Sequence, residues 1–308
     1  VCNAAAALHI ACLSAGLGPD DWLWTVPNTF VASANCGRYC GASVDFVDID
    51  PDTYNMSVES LRSKLEQAEA AGRLPKVVIP VHFAGQSCDM AQIAVLAEQY
   101  GFRVIEDASH AVGADYAGRK VGCGAYSDMT VFSFHPVKIM TTAEGGAVLT
   151  NDAQLAARLR ALRSHGITRD PSLMSGEAEG AWYYEQHGLG FNYRITDIQA
   201  ALGNSQLRRL DAFLERRRAL ARRYDELLAD LPVVTPVQAA YGRSSFHLYP
   251  IQLTDAAGAS RRDVFAGMRA RGVGVNVHYI PVHLQPYYRN LGFTSGMYPV
   301  AEDYYRRA

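Results

Sequence analysis

The segment Thr130-Val-Phe-Ser-Phe-His-Pro-Val-Lys-Ile-Met140 begins as a short apolar run and continues into a turn that carries Lys138. Lysine is scarce in this chain, since the others are Lys64, Lys76 and Lys120, which lie beside polar or turn residues. An ammonium group in apolar surroundings loses hydration, so its pKa falls and the neutral, nucleophilic amine becomes accessible. The segment therefore predicts a buried strand followed by a reactive amine, which suits imine formation with a carbonyl cofactor.

Comparable apolar runs recur along the first half of the chain and alternate with helical patterns. The runs are Trp22–Val26, Val44–Ile49, Val77–Phe83, Arg103–Ile105, Met129–Phe134 and Ala147–Thr150, and helical patterns lie at Val58–Ala70 and Ala91–Tyr100. Short, continuously apolar strands that alternate with helices are typical of an α/β fold with a mostly parallel sheet covered on both faces. Ligands of such sheets bind at the carboxyl ends of the strands, so we expect the functional site there.

The second half of the chain follows a different pattern. Thr196-Asp-Ile-Gln199 is a capping box that opens a long helical stretch reaching Leu231. A smaller α+β module is then predicted from a strand at Phe246–Leu253, a helix at Arg261–Arg271 and a strand at Val273–Ile280. We therefore expect a large cofactor-binding domain over residues 1–205 and a small domain with a bridging helix over residues 206–308.

Composition and charge exclude several classes of function. The 308 residues are 49% hydrophobic, enough for a large core, and the net charge of −2 favours neither nucleic acid nor an acidic membrane as partner. The six cysteines form no Cys-x-x-Cys pair and show no zinc spacing, which indicates reduced thiols in a cytoplasmic protein without a metal. The chain also lacks the Gly-x-Gly-x-x-Gly, Gly-Lys-Ser and Gly-x-Ser-x-Gly motifs of nicotinamide, phosphate-loop and serine-hydrolase sites.

A second informative segment is Val104-Ile-Glu-Asp-Ala-Ser-His110, in which a buried strand ends in two acids and, after small residues, a histidine. Alternation along the strand sends Glu106 and Asp107 to opposite faces, and Asp107 falls at the strand's end. A carboxylate there, upstream of Lys138, suggests a pyridoxal 5'-phosphate (PLP) site in which Asp107 keeps the pyridine nitrogen protonated. An aspartate that only caps the next turn is the alternative interpretation.

A phosphate group needs hydrogen-bond donors. The N-terminus of a predicted helix over Asn3–Ala15 offers free backbone N–H groups and a positive dipole end. Small side chains at Ala4 and Ala5 allow close approach, and Ser133 can add a hydroxyl, although an ordinary packed helix also explains the alanines. Phe30 follows the first apolar run, where a flat aromatic ring can stack on a cofactor or simply join the core.

Two further loops carry polar residues of interest. Asn192-Tyr-Arg194 follows a glycine-rich loop, where exposed polar residues are often functional, although a plain interdomain turn fits equally well. His278 and Tyr279 lie at the end of a predicted strand. Because no carboxylate stands at a suitable spacing for a metal, we expect a polar substrate wall or a loop anchor there.

Seven motifs, in order along essentially the whole chain, resemble the DegT/DnrJ/EryC1/StrS sugar aminotransferases. They are Ala6-Ala-Leu-His9, Pro27-Asn-Thr-Phe30, Val47-Asp-Ile-Asp50, Ile105-Glu-Asp107, Phe132-Ser-Phe134 with Lys138, Thr142-Ala-Glu-Gly-Gly146 and Asn192-Tyr-Arg194. The resemblance implies a type I PLP-dependent transferase fold of the aspartate aminotransferase kind and a homodimer with shared active sites. It also implies PLP on the lysine and amination of a keto-sugar nucleotide, usually with L-glutamate as donor.

A narrower resemblance is to the UDP-4-amino-4,6-dideoxy-N-acetyl-β-L-altrosamine transaminases, which make a precursor of pseudaminic acid. It is carried by His135-Pro-Val-Lys138, Arg163-Ser-His-Gly-Ile-Thr-Arg169 and Val275-Asn-Val-His-Tyr-Ile-Pro-Val-His-Leu-Gln-Pro-Tyr287. It implies that the acceptor is the C4 ketone of a UDP-linked 4-keto-6-deoxy-N-acetylhexose.

The same resemblance implies a role for each matching residue. The cofactor residues would be Lys138 as the Schiff-base lysine, Asp107 at the pyridinium nitrogen, Phe30 stacked on the ring, His110 beside the ring oxygen, and Ser133, Ala4 and Ala5 at the phosphate. Asn192 would reach the phosphate of the neighbouring subunit's cofactor, and His278, Tyr279 and Arg194 would contact the sugar nucleotide.

The chain departs from the family pattern in two ways. It has Ala4-Ala5 where the family usually has Ser or Thr in the phosphate-binding turn, and we expect weaker cofactor retention for that reason. We expect the sequence to be a fragment of a longer protein, without the family's leading segment and the closing part of the small domain. Two alternatives stay open: a sugar dehydratase relative, although that branch replaces the lysine by His, and a non-catalytic sugar-nucleotide-binding or regulatory relative.

Overall fold

A computed structural model describes residues 1–308 of the chain and contains ten α-helices and thirteen strands. The helices are α1 (Ala4–Ser14), α2 (Ala32–Tyr39), α3 (Val58–Ala70), α4 (Met90–Tyr100), α5 (Ala153–Arg163), α6 (Asp197–Leu207), α7 (Leu210–Leu228), α8 (Arg261–Ala270), α9 (Pro286–Arg289) and α10 (Pro299–Arg307). The strands are β1 (Trp22–Thr25), β2 (Ser43–Phe46), β3 (Val77–Val78), β4 (Arg103–Asp107), β5 (Asp115–Tyr116), β6 (Arg119–Lys120), β7 (Met129–Ser133), β8 (Gly146–Leu149), β9 (Ile167–Thr168), β10 (Glu185–Gln186), β11 (Val233–Val234), β12 (Gly242–Arg243) and β13 (Gln252–Leu253).

The central sheet has six strands in the order β2-β1-β3-β4-β7-β8. All neighbouring pairs are parallel except β7 and β8, which run antiparallel. Every residue of β7 is buried, as its continuous apolar run requires of a strand covered on both faces. The prediction of an α/β fold with a mostly parallel sheet is therefore confirmed.

Local capping signals appear where the sequence places them. The Asn3 side chain accepts a hydrogen bond from the N–H of Ala6 at 2.8 Å and so begins α1. Thr196 and Gln199 form the reciprocal capping box that begins α6. These short-range signals depend only on residues within one turn of the helix, which is why the sequence shows them directly.

The main hydrophobic cluster contains residues from both ends of the chain. It is built on the central sheet and its helices and also includes Val282, Tyr288, Tyr298, Ala301 and Tyr304. A three-stranded sheet in the order β12-β5-β6 likewise pairs residues from both halves of the sequence. The domain division after residue 205 stays a prediction.

The second half of the chain contains less strand than its sequence pattern predicts. Of the predicted strand Phe246–Leu253, only β13 forms, paired with β11, and Val273–Ile280 forms no strand. A strand needs a partner for its backbone groups, and the apolar pattern alone does not supply one. None of the ten helices combines the length and apolarity needed to cross a lipid bilayer.

Candidate active site

The carboxyl ends of the parallel strands β1, β3, β4 and β7 meet at one edge of the sheet, and β8 begins there because it runs the opposite way. Asp107 ends β4 and Ser133 ends β7, while Gly146 at the start of β8 pairs with Ser133. Phe30 follows β1 on the same edge. The topology therefore brings together four segments that are far apart in sequence.

Asp107 is buried and held from two sides. The hydroxyl of Ser33, on α2, donates to Oδ2 at 2.6 Å, and the N–H of Ser109 donates to Oδ1 at 3.0 Å. Ser33 is itself fully buried. Each carboxylate oxygen of Asp107 therefore accepts one hydrogen bond, and the two bonds fix the orientation of the carboxylate.

Glu106 serves a different part of the structure, as the alternation of the strand predicts. Its carboxylate accepts hydrogen bonds from Ser127 and from Thr130 at 2.8 Å, and it lies 2.7 Å from Nε2 of the buried His82. All of these partners are protein groups, so Glu106 is fully engaged in the core. Asp107 is the carboxylate of this pair that faces the site.

Lys138 is half-buried in the turn after β7. Burial lowers the pKa of its amine to about 8, and the charge of Asp107 acts in the opposite direction. At pH 7.5 about a quarter of such amines are neutral, compared with about one in a thousand for a lysine of ordinary pKa. The predicted nucleophilic amine therefore lies within electrostatic reach of the predicted carboxylate.

His110, His278 and Tyr279 lie beside this pair. The Nε2 atom of His110 is 3.1 Å from the hydroxyl of Tyr279, and its Nδ1 atom accepts from the N–H of Ala84 at 3.3 Å. Burial lowers the pKa of His278, and the charge of Lys138 lowers it further. The resemblance predicts these three residues near the cofactor and the sugar nucleotide, and in the structure they lie near Lys138.

Phe30 is 61% exposed, although it is large and apolar. Its ring centroid is 6.5 Å from that of Tyr279, so the two rings line the same part of the site. An exposed aromatic at this position is available for stacking on a flat ligand. The alternative interpretation, a core residue, does not fit this exposure.

The N-terminus of α1 lies against the start of β8. A Cβ atom at Gly146 would come within 2.9 Å of the Ala4 nitrogen, so only glycine permits this approach. The N–H groups of Ala4 and Ala5 donate no hydrogen bond within the chain, whereas that of Ala6 is taken by Asn3. Two free donors at the positive end of a helix suit an anion such as a phosphate.

Asn192 and Arg194 are both exposed. The carbonyl of Tyr193, between them, accepts from the N–H of Cys2 at 2.7 Å. This bond places the loop beside the residues that lead into α1. The predicted roles of Asn192 and Arg194 stay predictions.

The donors and rings at this edge fit PLP. Asp107 suits the ring nitrogen, Lys138 the aldehyde, Phe30 the ring face, and the free N–H groups of Ala4 and Ala5 the phosphate. The backbone supplies two donors where Ser or Thr would add hydroxyls, and the weaker cofactor retention expected from Ala4-Ala5 stays a prediction.

Two polar residues at this site carry no sequence signal. Ser33 donates a hydrogen bond to Asp107, which lies 74 positions later in the sequence. His247 lies with its ring centroid 4.4 Å from that of His110. A lone Ser or His in an unremarkable segment does not reveal such a partner, because the pairing depends on the tertiary fold.

Comparison with known proteins agrees with this geometry. The model of the DegT/DnrJ/EryC1/StrS aminotransferase family matches residues 1–308. The chain is 38% identical over 291 residues to the UDP-4-amino-4,6-dideoxy-N-acetyl-beta-L-altrosamine transaminase of Campylobacter jejuni, covering 94% of this chain and 73% of that protein.

Solved structures agree in fold. Helicobacter pylori PseC, an aminotransferase involved in the biosynthesis of pseudoaminic acid, superposes with a TM-score of 0.88 at 30% identity, covering 99% of this chain and 78% of that one. Spr1654 of Streptococcus pneumoniae, solved in a PLP form, gives 0.87 at 29% identity and covers 99% and 79%. The type I PLP-dependent fold, the aminotransferase activity and the PLP cofactor are therefore confirmed.

Proposed function

The chain belongs to the DegT/DnrJ/EryC1/StrS aminotransferase family, and on that premise we propose that it aminates C4 of a UDP-linked 4-keto-6-deoxy-N-acetylhexose, with L-glutamate as donor. The reaction converts L-glutamate and the keto sugar into 2-oxoglutarate and the 4-amino sugar. The similarity to the C. jejuni transaminase and to PseC supports this acceptor and a place in pseudaminic acid-type biosynthesis.

The observation that carries the proposal is the amine of Lys138. It lies at the carboxyl edge of the sheet, its pKa falls to about 8 because of burial, and Asp107 acts on it electrostatically. A sugar dehydratase of this fold would have His in place of the lysine, so Lys138 favours amination. The free N–H groups of Ala4 and Ala5 can still bind a phosphate, which disfavours a non-catalytic protein without cofactor.

Each residue of the site has a distinct task. PLP, when bound, supplies a ring that accepts the electrons released at the substrate carbon. Lys138 would hold the cofactor through its amine, and the neutral amine would move a proton as base and then as acid. Asp107, fixed by Ser33 and Ser109, would pair with the ring nitrogen.

The remaining residues would recognise the phosphate and the sugar nucleotide. We propose that Ser133 adds a hydroxyl at the phosphate, and that His278, Tyr279 and Arg194 contact the sugar nucleotide. The exposure of Asn192 supports a homodimer in which it reaches the phosphate of the partner's cofactor. A size measurement by light scattering and an Asn192→Ala variant with weakened PLP retention would test that part.

The activity test compares Lys138→Ala with the matched control Lys120→Ala, whose lysine is exposed on β6. After removal of unbound PLP, the wild type and K120A should stay yellow, retain the cofactor after borohydride reduction, and release 2-oxoglutarate from L-glutamate. K138A should do none of these. Transaminase turnover or a borohydride-fixed cofactor in K138A would refute the assignment of the lysine.

The substrate test is mass spectrometry of products from UDP-, GDP- and dTDP-linked keto sugars, each offered with L-glutamate and with other amino acids. We expect an amino sugar from the UDP-linked N-acetyl substrate with L-glutamate. A deoxygenated sugar would indicate a dehydratase. A protein that binds keto sugar without colour or turnover would be a regulatory or binding relative.

A further inference from the structure

His247 lies outside every motif of the sequence, yet its ring packs on His110. The two ring centroids are 4.4 Å apart and the planes are tilted by 49°. The Nδ1 atom of His247 is buried and has no hydrogen-bond partner. A buried polar atom without a partner costs free energy, so an aliphatic residue would fill this space at lower cost.

The backbone around His247 is firmly held. Arg217, on α7, donates to the carbonyls of Phe246 at 3.1 Å and of His247 at 3.3 Å. The hydroxyl of Ser245 donates to the carbonyl of His110 at 2.9 Å. These bonds connect the segment to α7 and to the loop that carries His110, so the imidazole of His247 is held against His110.

Backbone strain flanks the two rings on both sides. Ala84, whose N–H contacts His110, has φ of 57°, and Phe246, which precedes His247, has φ of 48°. Both are in the left-handed region that non-glycine residues rarely adopt. Such strain persists where the surroundings fix the conformation, and it is concentrated at functional sites.

The hydrogen bonds of His110 define its tautomer. Because Nδ1 accepts from the Ala84 N–H, the proton of the neutral ring lies on Nε2 and is donated to the Tyr279 oxygen. Tyr279 then keeps its own hydroxyl proton for another acceptor. A flipped or tilted His110 ring would lose both bonds at once.

We propose that His247 is a positioning residue that acts through His110, its ring holding the His110 ring in the single orientation that serves both Ala84 and Tyr279. The inference builds on the proposed place of His110 and Tyr279 in the site. It can be tested without turnover, so its failure is distinguishable from failure of the proposed function.

The charge state of His110 reports on this packing. Burial lowers its pKa well below the usual range, and the groups that lower it further are Lys138, His247 and His278. The Tyr279 hydroxyl is hydrogen-bonded to its Nε2 atom at 3.1 Å. Loss of the His247 ring admits water beside His110, so its pKa should return towards the ordinary value.

The test is long-range 1H–15N NMR of the cofactor-free protein with 15N-labelled histidine, with the His110 signals assigned by their absence in His110→Gln. In the wild type we expect a neutral ring with the proton on Nε2 from pH 6 to pH 9. In His247→Ala, His110 should exchange between tautomers and become protonated at the acid end. In His247→Phe, which keeps a flat ring, the wild-type pattern should persist.

The proposal is overturned if His110 is unchanged in H247A, or if H247F disturbs it as much as H247A does. Should H247A fail to fold, His247→Leu takes its place, since it fills the space without a flat ring. With PLP bound, H247A should lose between about tenfold and about a hundredfold in kcat, the range expected for a misplaced group. A kcat of H247A equal to that of the wild type would also count against the proposal.

Discussion

Lys138→Met should stabilise the cofactor-free protein, because the ammonium is costly to keep in the fold. Burial lowers the pKa of the amine from 10.5 to about 8, and the attraction of Asp107 is already contained in that value. The difference corresponds to about 3 kcal/mol against the charged form. Methionine has a similar length and no charge, so it removes this cost while it keeps most of the packing.

The sign and the pH window follow from linkage. Below pH 8 the lysine is charged in both states, so the folded protein carries the full cost; above pH 10.5 it is neutral in both, and the cost is gone. The stability gain of K138M over the wild type should therefore be about 3 kcal/mol at pH 7, about 2 kcal/mol at pH 9 and below about 1 kcal/mol at pH 10.

Urea unfolding of both proteins at equal concentration, followed by circular dichroism at the three pH values, measures this gain. Lys120→Met is the control, because Lys120 is exposed and its ion pair with Asp115 at 2.7 Å contributes at most about 1 kcal/mol. A K138M protein no more stable than the wild type at pH 7 would refute the reasoning. So would a gain that stays constant up to pH 10.

Three further substitutions test the supports of the site and of the fold. Ser33→Ala removes the 2.6 Å hydrogen bond to buried Asp107 and should cost about 1.5–3 kcal/mol in denaturant unfolding, with weaker PLP binding by absorbance titration; an unchanged protein would show that the bond is dispensable. Gly146→Ala should lower the free energy of unfolding by about 1–3 kcal/mol and weaken PLP binding, because its Cβ would lie 2.9 Å from the start of α1. The control Gly188→Ala, with open space around the new Cβ, should change neither quantity. For Glu302, burial raises the pKa, but the hydrogen bonds from Ser295, His283 and Gly296 outweigh it and leave the pKa lowered. Glu302→Gln should therefore destabilise the protein at pH 7 and lose that effect as the pH falls below 4. An equal loss of stability at both pH values would exclude the linkage.

The sequence predicted the features that depend on near neighbours. The capping residues Asn3 and Thr196 act within one helical turn, and the separation of Glu106 from Asp107 follows from strand alternation. Lys138 stood out because lysine is rare and its segment apolar. Each of these signals is contained in a stretch of about ten residues.

The features that the sequence did not reveal depend on distant partners. Ser33 meets Asp107, and His247 meets His110, only after the sheet and the bridging helix have assembled. The predicted strand Val273–Ile280 is absent for the same kind of reason, since strand formation requires a neighbour with unpaired backbone groups. Pattern and propensity contain no information about these pairings.

Several features of the proposed site are costly for the stability of the fold. A large apolar side chain is exposed at Phe30, a cation is dehydrated at Lys138, two N–H groups lack acceptors at the start of α1, and a non-glycine residue is left-handed at Phe246. At Lys138 a methionine would avoid the cost of a dehydrated cation, so the presence of an amine at this position indicates a requirement imposed by a ligand. If K138M stabilises the cofactor-free protein by the expected amount, the difference in the free energy of unfolding is the stability that the chain loses by keeping a reactive amine at this position.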